Sequence, residues 1–104
     1  MTTFNERGNA FEKKFAFDSE LQFQAVARRN KLIGLWAAEL LCKTDKDAEA
    51  YALDVVRLDF ERAGDEDLIH KLVTDLQNKA SESTIRSKLT AFMIEAKKQI
   101  NIER

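Results

Sequence analysis

The chain has 104 residues, 44% of them hydrophobic and 34% charged, with no proline, three glycines and one cysteine. That is enough for one domain with a single modest core and leaves no room for a second. The 17 Lys and Arg are balanced by 18 Asp and Glu, so there is no net basic field of the kind that drives phosphate-backbone binding, and nucleic acid is not an expected partner.

The first 17 residues carry helix grammar. Thr3 and Glu6 form a T-x-x-E capping box, in which each side chain can satisfy a free backbone amide of the first turn. At about 100° per residue Phe4, Phe11 and Phe15 fall on one narrow stripe, with Gly8 on the same line. A glycine costs a helix about 1 kcal/mol relative to alanine, and an isolated helix of this length is marginal in water. The segment is therefore expected to be flexible when alone and able to become helical on binding. Two readings of the stripe stand: it covers an open side of the chain's own bundle, or it is kept for the groove of another protein. Phe17 points nearly opposite Phe15 and Phe23 lies further on, so both are expected in the core.

From about Ser19 to Cys42 a helix is predicted whose second half, LIGLWAAELL, is apolar on nearly all sides, as in a helix surrounded by others. Trp36, at helical spacing from Leu32 and Leu40, reads as core. Arg28, Arg29, Asn30 and Lys31 make one full polar turn in this helix, and a solvated face is its default reading. Thr44 followed by Asp47 resembles a capping box with a shortened acid and opens a second helix to about Arg62, with Ala48, Tyr51, Ala52, Val55 and Leu58 on its buried face. Gly64 then reads as a helix stop and Asp65 as the N-cap of a short third helix, buried through Leu68, Ile69, Leu72, Val73 and Leu76. Ser81 or Ser83 caps a fourth, whose stripe is Ile85, Leu89, Phe92, Met93, Ala96 and Ile100. No stretch alternates with a period of two. Short connections favour antiparallel neighbours, so the expected fold is all-α, a compact and irregular four-helix bundle preceded by the flexible N-terminal segment.

Catalytic chemistry is hard to place. The lone His70 has no second histidine or nearby cysteine to complete a zinc site. Cys42 ends an apolar helix and reads as a small packing residue. Asp65, Glu66 and Asp67 lack the spaced oxygens and glycine of a calcium loop and read as favourable first-turn acids. No serine, cysteine or lysine stands in a recognisable nucleophile motif, so an enzyme is not expected. Arg28, Arg29 and Lys31 could hold a nucleotide phosphate, although no glycine-rich loop accompanies them. A single cysteine, and an N-terminus with neither a basic nor an uninterrupted apolar stretch, predict a reducing, cytoplasmic location. The longest near-apolar run, Leu32 to Leu41, is interrupted by Glu39 and is about half of what spans a bilayer.

The stretches MTTFNER, KFAFDSEL, ARRNKLIGLWAAELL, AYALDVV and GDEDLIHKLVTDL carry a resemblance that covers essentially the whole chain. It resembles the zeta subunit of the alphaproteobacterial rotary ATP synthase, a small inhibitor of the catalytic head. The resemblance implies an N-terminal inhibitory segment at residues 1–18, with its inhibitory region running roughly from Thr2 to Ser19, and a four-helix globular domain at residues 19–104. In that family the segment becomes helical between a catalytic and a non-catalytic subunit beside the rotor and blocks rotation in the hydrolysis direction. The implied partners are the alpha, beta and gamma subunits of the head, with no membrane insertion; the protein is expected to be a monomer when free and peripheral to the inner membrane when bound to the synthase. The anchors would be Phe4, Phe11 and Phe15, with Thr3, Glu6, Arg7, Lys13 and Lys14 around them. The family is also linked with adenine nucleotides, which would place weak ADP or ATP binding at Arg28, Arg29 and Lys31. The sequence departs from the family pattern at Cys42, where many relatives carry glycine. A nucleotide-sensing bundle and an adaptor for another oligomer are the alternatives of a different class.

Overall fold

A computed structural model describes the backbone of residues 2–61 and 64–103 and the side chains of residues 20–61 and 64–101. Four α-helices follow one another: α1 at Thr2–Leu40, α2 at Asp45–Glu61, α3 at Glu66–Leu76 and α4 at Glu82–Glu103, with a 3-10 turn at Gln77–Lys79 before α4. There is no strand among the described residues. The helix expected from about Ser19 is the latter part of α1, which runs on without a break from Thr2. At about 1.5 Å per residue its 39 residues span roughly 58 Å, close to the 61 Å long axis of the molecule.

Each connection is made by identifiable chemistry. After Leu40 the Cys42 amide donates to the Glu39 carbonyl at 3.0 Å and the Lys43 amide to the Ala38 carbonyl at 2.9 Å, with Cys42 at φ 61°. This pair of bonds is a Schellman stop, and its left-handed residue is most often glycine because a Cβ there is strained. Cys42 is exposed, so it ends a helix and does not pack, contrary to the sequence expectation. Thr44 opens α2 through its backbone carbonyl, which accepts from the Asp47 amide at 3.1 Å. Gly64 takes φ 95° after α2, as a helix-stopping glycine should. Ser81 caps α4, its hydroxyl accepting from the Thr84 amide at 3.1 Å.

The core forms where the predicted stripes meet. Ile33, Ala37 and Ala38 of α1, Tyr51 and Val55 of α2, Leu68, Ile69, Leu72 and Leu76 of α3, and Ile85 and Leu89 of α4 make one buried cluster. Trp36 packs on its rim, half-buried, beneath the Lys88 ammonium 5.7 Å from its ring centre. α1 packs chiefly on α2 and α4, and α3 closes the cluster against α4 and α2. Small residues allow the tightest approach: a Cβ built on Gly34 would lie 2.7 Å from the Ala52 Cα.

Two expectations fail here for physical reasons. Phe23 is 59% exposed and does not enter the core. It stands two residues, about 200° of rotation, from the inward-facing Ala25, so the two side chains leave opposite sides of the helix. Arg29 and Asn30, expected on a solvated face, are 5% and 1% exposed, because the helix turns them toward the start of α3 and the core. Phe17 lies outside the residues whose side chains are described.

Candidate functional site

The segment singled out in the sequence forms the first turns of α1. Thr3, Phe4, Glu6, Arg7, Phe11, Lys13, Lys14 and Phe15 lie outside the residues whose side chains are described. What the backbone does show is a mismatch of lengths. The longest helix available to pack on α1 is α4, with 22 residues and roughly 33 Å, so about 25 Å of α1 exceeds the span of any partner helix.

The polar turn read as a phosphate site is divided. Arg29 turns inward and forms a two-pronged pair with the Asp65 carboxylate, Nη2 to Oδ1 at 2.8 Å and Nη1 to Oδ2 at 3.2 Å, while its Nε donates to Asn30 Oδ1 at 3.0 Å. Asp65 therefore does not cap α3 with its side chain, as the sequence suggested, but serves as the counter-charge of a buried guanidinium. Burying a charge is tolerable only when it is paired and hydrogen-bonded, and this geometry meets both conditions. Arg28 Nη1 donates to Gln99 Oε1 of α4 at 2.9 Å. Lys31 is exposed. The three cations therefore do not converge on one point.

Arg28 and Lys31 do share a groove between α1 and α2. It has a volume of about 690 Å³, an apolar floor of Ala27, Ala52 and Val56, a wall of Phe23 and Leu53, and Glu49 on its edge. Its size falls in the range of about 300–1,000 Å³ usual for small-molecule sites. Next to it the Phe23 and Phe60 rings meet with centroids 5.1 Å apart and planes tilted by 49°, although Phe60 is 56% and Leu53 48% exposed. Sequence reasoning missed this surface. The signal was a second apolar stripe on α2, Leu53, Val56 and Phe60, spaced i, i+3, i+7 and lying off the buried face.

The remaining polar clusters are structural. The Tyr51 hydroxyl donates to Asp75 Oδ2 at 2.7 Å, and Lys71 reaches the same oxygen at 3.0 Å while lying 5.0 Å from the Tyr51 ring centre. Burial, then the bond to Asp75, holds the Tyr51 hydroxyl protonated well above the ordinary tyrosine range. Arg86 joins Glu66 at the start of α3 to Glu82 at the start of α4, at 3.0 and 3.2 Å. His70 is exposed, and no group of three or more His, Cys, Asp or Glu side chains is placed to hold a metal ion among the described residues. No helix among them is long and apolar enough to cross a membrane.

Comparison with solved structures finds a protein determined in solution by NMR that is 49% identical, with a TM-score of 0.74 over 81% of this chain and 99% of that one. Comparison with curated proteins returns no match. The family model described as ATPase inhibitor subunit zeta matches residues 1–99, so the four-helix core and the leading half of α1 fall within a single family pattern. The chain belongs to the ATPase inhibitor subunit zeta family.

Proposed function

We propose that the protein is a non-enzymatic regulator that stops ATP hydrolysis by the catalytic head of an ATP synthase. Its N-terminal segment, Thr2 to Ser19, enters the interface between catalytic and non-catalytic subunits beside the rotor and blocks rotation, while the bundle remains outside as an anchor. The head's alpha, beta and gamma subunits are the partners, and the protein works on the cytoplasmic side, bound to the inner membrane only through the synthase. The observation that supports this reading is the length of α1, about 25 Å more than that of any other single helix of the bundle. A helix already in register with a rigid anchor loses less conformational entropy on docking than a detached peptide does.

The Phe4, Phe11 and Phe15 stripe supplies the apolar contacts, with Thr3, Glu6, Arg7, Lys13 and Lys14 at the rim. Burying one phenylalanine contributes roughly 1.5–3 kcal/mol, so Phe11→Ser with Phe15→Ser removes about 3–6 kcal/mol of binding, a loss of roughly a hundredfold or more in affinity. Adding purified protein to the synthase head and recording ATPase rate should show inhibition by the full chain. The double variant and a chain lacking residues 1–17 should not inhibit, and thermal unfolding of the bundle should barely change. Full inhibition by the truncated chain would refute the wedge, and so would a bundle weakened by several kcal/mol.

A second reading rests on the groove. Lys31 and Arg28 at its edge and the exposed Phe23 ring suit a nucleotide's phosphates and base, so weak ADP or ATP binding belongs there and not at Arg29, whose guanidinium is engaged by Asp65. Titration with ADP should give saturable amide shifts centred on residues 28–31, and their absence removes this reading.

A further inference from the structure

Among the described residues the large apolar side chains left exposed are Phe23, Leu53, Phe60 and Ile94, and the first three gather on the α1 and α2 face. Leu53 and Phe60, seven residues apart on α2, leave the helix within about 20° of one another and form a ridge. Beside that ridge runs the groove of about 690 Å³, with Ala27 and Ala52 on its floor. A ridge beside a groove is self-complementary, because a two-fold axis running between them seats the ridge of each copy in the groove of the other. The strip involved is about 25 Å long, the length of the 17 residues of α2, and two helices or roughly 20 Å wide. Two copies would therefore cover about 1,000 Å² in all, the lower bound for a specific interface, so the pair is weak and the chain is monomeric when dilute.

The charges agree with this pairing. α2 carries six acids and two bases, whereas the α1 wall of the groove carries Arg28 and Lys31. The register follows from two contacts: Gly34 lies against Ala52, and the Phe23 and Phe60 rings meet. Interpolating between them along the antiparallel helices puts Lys31 about level with Asp54. Asp54 stands on the flank of the ridge away from its own groove, the flank that a seated copy turns toward the α1 of the other. An axis parallel to the helices preserves these levels, so Asp54 of each copy meets Lys31 of the other. Both residues are exposed, and neither joins an ion pair among the described residues. We propose that a second copy of this chain docks here, the Leu53 and Phe60 ridge of each lying in the groove of the other and two contacts between Lys31 and Asp54 setting the register. A seated copy fills the groove read above for a nucleotide, so the two occupants exclude each other. The face belongs to the globular part, and the pairing stands or falls separately from where the N-terminal segment docks.

Sedimentation velocity and translational diffusion of the full-length protein test this as concentration is raised from roughly 0.05 to 1 mM, the range in which an interface of this size associates. The native chain should pass from monomer toward dimer across it. Leu53→Asp, at a half-exposed position, should weaken association by about tenfold or more and leave thermal unfolding nearly unchanged. Lys31→Glu and Asp54→Lys should each weaken self-association by roughly fivefold or more, because each sets like charges against one another at both contacts. An equimolar mixture of those two variants should associate about as well as the native chain, since one contact of the mixed pair is native and the other is the same pair with its charges exchanged. Both positions are exposed, so this arm holds even if Leu53→Asp folds poorly. A native chain that stays monomeric to the top of the range would overturn the proposal. So would association untouched by Leu53→Asp, which would place the contact on another face, or a mixture no tighter than its components.

Discussion

Asp65→Ala should lower stability by about 3 kcal/mol, and it should cost more than Arg29→Met, although Asp65 is the more exposed partner. The side chains of the pair are 6% and 47% exposed for Arg29 and Asp65. Removing the carboxylate leaves a buried guanidinium without a counter-charge, the situation in which breaking one side of an ion pair costs about 3–5 kcal/mol. The half-exposed setting of Asp65 lets water recover some of that, which places the estimate at the lower end. Replacing Arg29 by methionine removes the charge itself and keeps an unbranched, adaptable side chain of similar length. What it loses is the bond to Asn30, whose Oδ1 then needs another donor. Urea unfolding of the two single variants and the double variant closes the cycle. In the Arg29→Met background, Asp65→Ala should cost well under 1 kcal/mol. A loss below 1 kcal/mol in the native background would mean that the pair behaves as an ordinary surface contact and does not tie α1 to α3.

That pair also marks the limit of what the sequence could reveal. The buried stripes of α3 and α4 were legible because each is a local repeat: Leu68, Ile69, Leu72 and Leu76 are all buried, as are Ile85, Leu89, Ala96 and Ile100. The stop at Gly64 and the start at Ser81 were legible because they depend on one residue's conformational range or one hydroxyl. Arg29 and Asp65 stand 36 residues apart, and nothing in the spacing of either reveals the other. Local grammar gave Asp65 a cap and Arg29 a solvated face, and tertiary pairing overrode both. Phe23 failed differently, through hydrophobicity weighed without its angle from Ala25. The same angular reasoning, applied to Leu53, Val56 and Phe60, would have exposed the second apolar face of α2 and with it the groove. The N-terminal segment was legible as helical from its spacing, and α1 runs through it from Thr2, while the Thr3 and Glu6 side chains lie outside those described. Its role came from resemblance, because a stripe of three phenylalanines does not say whose groove it fits.

The second large effect is expected at Gly34→Ala, where helix propensity and packing pull in opposite directions. In a helix interior the substitution should stabilise by about 1 kcal/mol, because alanine loses less backbone freedom on folding. Here the added methyl would lie 2.7 Å from the Ala52 Cα, 3.1 Å from its Cβ and 3.4 Å from its carbonyl oxygen. The nearest of these atoms is backbone, so no rotamer change relieves the clash, and α1 and α2 must separate. Overpacking of this kind costs typically about 1–3 kcal/mol, and it outweighs the propensity gain because α1 and α2 form the most extensive helix pair of the fold. A separation should also spread the Phe23 and Phe60 rings from their 5.1 Å contact, which ring-to-ring nuclear Overhauser effects would register independently of stability. Ala52→Gly supplies the deciding control. It removes the 3.1 Å neighbour and leaves the 2.7 Å one, so Gly34→Ala should cost less in that background and still destabilise. Complete recovery would place the constraint in the Ala52 methyl, whereas a persistent loss places it in the two backbones and makes Gly34 the residue that fixes how closely α1 rides on the bundle.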